Sequence, residues 1–153
     1  MEIERKFLID SLPPNLETYP RRALEQAYLC TDPVVRIRKS DDHCTLTYKS
    51  SGLMIREEYN LPLTDSGYEH LLGKADGNII RKIRYLIPLD GGLTCELDVF
   101  SKPFEMIRLA EVEFVSEEEA LAFSPPEWFG EEVTMTAKYH NSTLSQASPE
   151  DYR

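Results

Sequence analysis

Glu2, Glu4 and Lys6 recur at every second residue of the opening segment Glu2-Ile3-Glu4-Arg5-Lys6-Phe7, so two carboxylates and an ammonium stand in one register. Alternate side chains of a β-strand point to opposite faces, which puts these three on one face and Ile3, Arg5 and Phe7 on the other. The same spacing returns in Arg36-Ile37-Arg38, at Lys49, and in Arg56-Glu57-Glu58, Lys82-Ile83-Arg84, Glu96-Leu97-Asp98 and Glu111-Val112-Glu113. Between the charges sit mostly apolar residues, among them Ile37, Leu46, Ile83, Leu97 and Val112. Each such strand has one charged and one apolar face.

The chemistry depends on where the charged faces point. One arrangement turns them to water over a sandwich core, as charge runs usually are. The other closes about eight strands into a barrel whose lumen is wide enough for a small ligand. Two features favour the barrel. The charged positions are Arg, Lys, Glu and Asp with few diluting Ser, Thr or Gln, and bases (Arg36, Arg38, Lys49) precede acids (Glu96, Asp98, Glu111, Glu113) along the chain. Converging Arg and Lys suit phosphate. Clustered carboxylates suit a hard divalent cation such as Mg²⁺ or Mn²⁺. Together they describe a metal-polyphosphate site, wet or ligand-filled because drying such charges is costly.

The elements that must position these residues read as a meander. Strands are predicted to about Ile9, then over 23–30, 34–39, 44–49, 54–61, 78–87, 93–100 and 108–115. Turn signals lie between them at Asp10 to Pro14, Thr31-Asp32-Pro33, Ser40 to Asp42 and Pro88 to Gly92. Asp65 is expected to cap a helix carrying Leu71 and Leu72. Ser116 with Glu119 forms a capping box for a second helix ending near Phe123, and 136–145 is expected to form a third.

Composition sets bounds. The 153 residues suit one domain spanning the chain, with 41% hydrophobic and 29% charged residues, and a net charge of -10 argues against a nucleic-acid partner. No apolar run is long enough for a membrane span and the charged N-terminal strand is unlike a signal peptide, so no membrane partner is expected. Cys30, Cys44 and Cys95 lack metal or disulfide spacing and are read as reduced core thiols, which favours the cytoplasm. His43, His70 and His140 are isolated, Trp128-Phe129 reads as an apolar cover, Glu117 to Glu119 as a solvated helix start, and Arg21-Arg22 as surface.

The ordered series of charged strands resembles the triphosphate tunnel metalloenzymes, also called the CYTH superfamily, from Glu2 to about Asn141. Glu2 to Phe7, Glu96 to Phe100 and Trp128 to Thr134 look most like the bacterial inorganic triphosphatases. The resemblance implies a mainly β (α+β) fold, an eight-stranded antiparallel β-barrel tunnel with a few flanking helices. It implies metal-dependent hydrolysis of the terminal phosphoanhydride of inorganic triphosphate. A class IV adenylate cyclase, a thiamine or nucleoside triphosphatase and a non-catalytic polyphosphate-binding module are the alternatives. Lys6, Arg36, Arg38, Lys49, Arg56, Lys82 and Arg84 would bind phosphate. Glu2, Glu4, Glu58, Glu96, Asp98, Glu111 and Glu113 would hold Mg²⁺ or Mn²⁺. Tyr28 aligns with a tyrosine that pairs with the first-strand lysine, making Lys6 and Tyr28 the implied catalytic dyad. Asn60 stands where a carboxylate is common, so a second metal is expected to bind more weakly. Thr136 and Lys138 also depart from the pattern, with Lys138 a candidate phosphate contact. A homodimer is the default oligomer on general frequency.

Overall fold

In a computed structural model describing residues 1–153, the alternating segments form a nine-stranded sheet whose paired neighbours are all antiparallel. The strands are β1 (Glu2–Leu8), β2 (Arg21–Thr31), β3 (Val34–Ser40), β4 (His43–Lys49), β5 (Ile55–Arg56), β6 (Glu58–Leu63), β7 (Asp76–Pro88), β8 (Thr94–Phe100) and β9 (Arg108–Glu113). Helices α1 (Asp65–Leu72), α2 (Glu117–Ala122) and α3 (Asn141–Leu144) flank them. The sheet order is β5-β1-β9-β8-β7-β2-β3-β4-β6.

The eight-strand expectation treated 54–61 as one strand, and the structure splits it at Glu57. On one side Arg56 pairs with Glu2 of β1, and on the other Glu58 pairs with Lys49 of β4. One short stretch therefore hydrogen-bonds to both ends of the sheet and brings the barrel almost to closure. Glu57 holds the step by accepting from the Ser50 amide at 3.0 Å and donating its own amide to Ser50 Oγ at 2.9 Å. Pro62 fits in β6 because that strand ends the sheet and lacks a partner on one side.

The apolar faces pack outward, as the barrel arrangement requires. Ile3, Phe7, Leu97, Ala110 and Val112 form a cluster with Ala120 of α2 and Phe129. Phe129 lies 4.9 Å from Phe7 and meets Trp128 edge-on, so that pair is an apolar cover. Arg5 shares this face. Its guanidinium clamps Glu132 at 2.6 and 2.8 Å and donates to the carbonyls of Ala120 and Phe123 at the end of α2, fixing that helix on the barrel.

At one end of the lumen the inward faces turn apolar. Ile80, Phe100 and Leu109 stand in register with Lys82, Asp98 and Glu111, and Val133 and Leu144 pack over them. Around 136–145 the expected helix breaks into a 3-10 turn (Ala137–Tyr139) and α3, because His140 is extended and bonds the Thr134 carbonyl through its ring. Ser116 caps α2 as expected, accepting from the Glu119 amide at 3.1 Å. The cap of α1 is Thr64 instead of Asp65, since Thr64 is extended and its hydroxyl reaches the Gly67 amide. Cys44 and Cys95 are buried and Cys30 is exposed, all three free. No helix is long and apolar enough to cross a membrane.

The tail is clamped to β7 at Asn78, whose amide donates to the Ser145 carbonyl at 2.6 Å and whose side chain donates to Leu144 and Ala147. Gly77 makes this approach possible, because a Cβ there would lie 2.0 Å from the Ser145 oxygen. Gly91 has a similar positive φ but open space around it. Gly77→Ala is therefore expected to cost at least about 2 kcal/mol in denaturant unfolding and Gly91→Ala only about 1. Equal costs would show that φ alone, and not the tail contact, constrains Gly77.

Candidate active site

Inside the barrel the charged residues surround a cavity with about 520 Å³ of empty space, open solvent at its mouth included. Most of the acids and most of the bases come from different strands. The adjacent strands β1, β9 and β8 supply Glu2, Glu4, Glu111 and Glu96, while β3 and β4 supply Arg36, Arg38 and Lys49. Lys6 of β1, Arg56, Glu58 and Arg84 complete the charged lining, and Tyr28 and Val34 are its only hydrophobic members.

Most of the bases are paired with carboxylates, chiefly on the same or a neighbouring strand. Lys6 Nζ donates to Glu4 at 3.0 Å and Glu111 at 2.9 Å. Burial alone would lower Lys6, but these two carboxylates outweigh it and keep the ammonium charged well above its usual range. Lys49 donates to both Glu2 oxygens at 2.9 Å and lies 3.4 Å from Glu58, while Arg56 stands 3.6 Å from Glu2 and 3.8 Å from Glu4. Arg84 grips Asp98 through two bonds of 2.8 and 2.9 Å and also reaches Glu96 and Glu111.

Two bases have no carboxylate. Arg36 donates only to Thr47 Oγ1, at 3.2 Å, and its Nε is buried without a partner. Arg38 donates through Nε and Nη2 to the amide oxygen of Gln26 at 2.8 and 2.6 Å, leaving Nη1 without a protein acceptor. Burial, with Arg36 and Arg84 nearby, pushes the Arg38 guanidinium down to about 9. A half-buried cation in that state is stabilised by an anion brought to it.

Other expected residues are placed differently. Lys82 and Asp98 are bonded to each other at 2.7 Å, below the cavity and outside its lining. Burial lowers Lys82 to about 7 against the attraction of Asp98, and burial would raise Asp98 but for Arg84 and Lys82, which hold it below its usual range. Tyr28 and Lys6 line the same cavity without a bond between them, since the Tyr28 hydroxyl contacts Gln26 at 3.4 Å. Lys138 is exposed and lies over the rings of Tyr139 and Tyr152, outside the cavity, so it is not placed as a phosphate contact. Asn60 bonds Thr47 and Glu58.

The sequence did not single out Gln26, Thr47, Asn141 or Ser142, and it left His140 without a role. Gln26 and Thr47 are fully buried, and the other three line the cavity from the tail. The usable signal was parity: Gln26 lies opposite Arg38 and Thr47 opposite Arg36 in the antiparallel register. His140 is buried and kept neutral by burial and by Lys6, and its Nε2 donates to the Thr134 carbonyl.

For a hard cation, the fitting group is Glu2, Glu58 and Glu113, which can each offer an oxygen within 4.8 Å of the others. Partial desolvation and the charges of Glu2, Glu96, Glu4 and Glu58 push the Glu113 carboxyl up to about 7. Its folded state therefore keeps a proton that the unfolded chain has released, so its contribution falls as pH rises through about 7. In metal-free protein, Glu113→Gln should gain thermal stability over wild type progressively between about pH 5 and 8. A difference that stays flat with pH would show that Glu113 is not crowded.

No protein-family model matches the chain. Among curated proteins, the inorganic triphosphatase of Nitrosomonas europaea is 40% identical over 152 residues, covering 97% of this chain and 99% of the relative. The inorganic triphosphatase of Acetivibrio thermocellus is 33% identical over 154 residues, covering 94% and 92%. The crystal structure of the inorganic triphosphatase NE1496 superposes with a TM-score of 0.73 at 38% identity, over 97% of each chain. A putative adenylate cyclase from Bacillus halodurans shares the fold at 17% identity, with a TM-score of 0.62 over 97% of this chain and 92% of its own. With relatives matched end to end and a charged antiparallel tunnel inside the barrel, the chain belongs to the inorganic triphosphatases of the triphosphate tunnel metalloenzyme, or CYTH, superfamily.

Proposed function

We propose that the tunnel binds inorganic triphosphate and hydrolyses its terminal phosphoanhydride, releasing orthophosphate and pyrophosphate. The observation that carries this reading is the pair Arg36 and Arg38, buried or half-buried in the lining and lacking any carboxylate. A polyanion would supply what both lack. The inorganic substrate is favoured over a nucleotide or thiamine ester because the lining offers only Tyr28 and Val34 as apolar surface, too little to stack a base.

In the reaction, a water oxygen bonds to the terminal phosphorus and the bridging P–O bond breaks. Negative charge moves onto the departing pyrophosphate. Arg36 and Arg38 would neutralise non-bridging oxygens as that happens, with Lys6, Lys49, Arg56 and Arg84 adding donors beyond their carboxylate pairs. Tyr28 can donate its phenolic hydrogen into the lumen. Glu2, Glu58 and Glu113 are the residues fit to hold Mg²⁺ or Mn²⁺, with Glu4, Glu96 and Glu111 further along the same acidic wall. Such an ion would polarise phosphate oxygens and lower the pKa of bound water.

Phosphate release from tripolyphosphate, ATP and thiamine triphosphate, each with Mg²⁺, Mn²⁺ or chelator, tests the reading. Metal-dependent release that is fastest from tripolyphosphate is expected. Cyclic AMP with pyrophosphate from ATP would mark a cyclase, and binding without turnover a passive module. Arg36→Gln should raise KM for tripolyphosphate roughly ten- to a hundredfold, the worth of one charge-assisted hydrogen bond. In a metal titration, Asn60→Glu is expected to tighten a second ion, and an unchanged curve would remove Asn60 from the account of metal number.

A further inference from the structure

Gln26 is a fully buried amide among charged neighbours, and its two ends do different things. The guanidinium of Arg38 donates twice to one end, at 2.8 and 2.6 Å, which identifies that end as the oxygen. The other end is then the NH₂ group, and it donates to the Tyr28 hydroxyl at 3.4 Å. A phenol that accepts from Gln26 has its own hydrogen free to point elsewhere, and Tyr28 lines the cavity.

An aspartate or glutamate would be the ordinary partner for a half-buried arginine offering two donors. Elsewhere in this tunnel that is the arrangement, as in Arg84 with Asp98. The amide gives Arg38 the same two-point orientation without cancelling its charge. It also cannot accept the Tyr28 proton at its NH₂ end, as a carboxylate would.

We propose that Gln26 is a positioning residue for triphosphate binding. It holds Arg38 as an uncompensated cation facing the lumen and leaves the Tyr28 hydroxyl hydrogen directed at the substrate. The inference rests on the triphosphatase reading for its substrate, but its geometry concerns Gln26, Arg38 and Tyr28 alone.

Two variants of similar size separate charge from packing. Gln26→Glu keeps acceptors for Arg38 but neutralises it and turns the phenol inward. Gln26→Met removes the hydrogen bonds but leaves the charge of Arg38 intact. Tripolyphosphate affinity by calorimetry and turnover with Mg²⁺ are measured on both variants and on wild type, with thermal unfolding alongside. Gln26→Glu is expected to weaken binding roughly ten- to a hundredfold and to raise KM more than Gln26→Met does. The order is the decisive readout, because a purely structural role makes the apolar variant the worse of the two. Wild-type affinity in Gln26→Glu, or weaker binding by Gln26→Met than by Gln26→Glu, overturns the proposal. Should Gln26→Glu fail to fold, wild-type affinity and kcat in Gln26→Met overturn it, while a loss in kcat with folding retained supports it. A wild type that binds without turnover counts against the proposed reaction, and the affinity order still decides the role of Gln26.

Discussion

Burying guanidinium and ammonium groups inside a barrel is the constraint on which the rest of this structure depends. Each such cation loses hydration, and the loss has to be offset by a carboxylate, by neutral dipoles or by a ligand. The protein shows the first two, and the proposed substrate would supply the third. Lys6, Lys49, Arg56, Lys82 and Arg84 face carboxylates from β1, β6, β8 and β9, so the ion pairs tie the walls of the tunnel to one another. Arg36 and Arg38 meet only Thr47 and Gln26.

This division separates structure from function within one set of residues. The Arg84–Asp98–Lys82 group sits just above the apolar seal formed by Phe100, Leu109 and Leu144, and Lys82 lies 5.2 Å over the Phe100 ring. It is a polar layer that joins the seal to the cavity. The neutral-partnered arginines stand on β3, far in the sheet order from the carboxylates of β1, β8 and β9, and the proposed polyanion would lie between base and acid. The tail, held by Gly77 and Asn78, brings Asn141 and Ser142 to the same cavity and closes its side.

Alternation made much of this legible. The inward register of Glu2, Glu4, Lys6, Arg36, Arg38, Lys49 and Arg84 follows from period two, and so does the outward packing of Ile3, Phe7, Leu97 and Val112. What the sequence could not disclose was the pairing. Lys6 meets Glu111 and Lys49 meets Glu2 across long loops of chain, and only sheet order decides those partners. The partner switch at Glu57 was hidden because Arg56, Glu58 and Asn60 keep one every-second-residue polar register across it. Gln26 and Thr47 escaped notice because a search for charge passes over the neutral residues that hold charges in place. Around 136–145 helix propensity lost to the bond between His140 and Thr134, a contact no local pattern announces.

The most direct measurement is a crystal structure of the protein with tripolyphosphate and Mn²⁺, using the anomalous signal of manganese to locate the ion. The account requires phosphate oxygens against Arg36 and Arg38 and manganese among Glu2, Glu58 and Glu113. Tripolyphosphate outside the barrel, or inside it with both arginines still bound only to Thr47 and Gln26, would contradict the account.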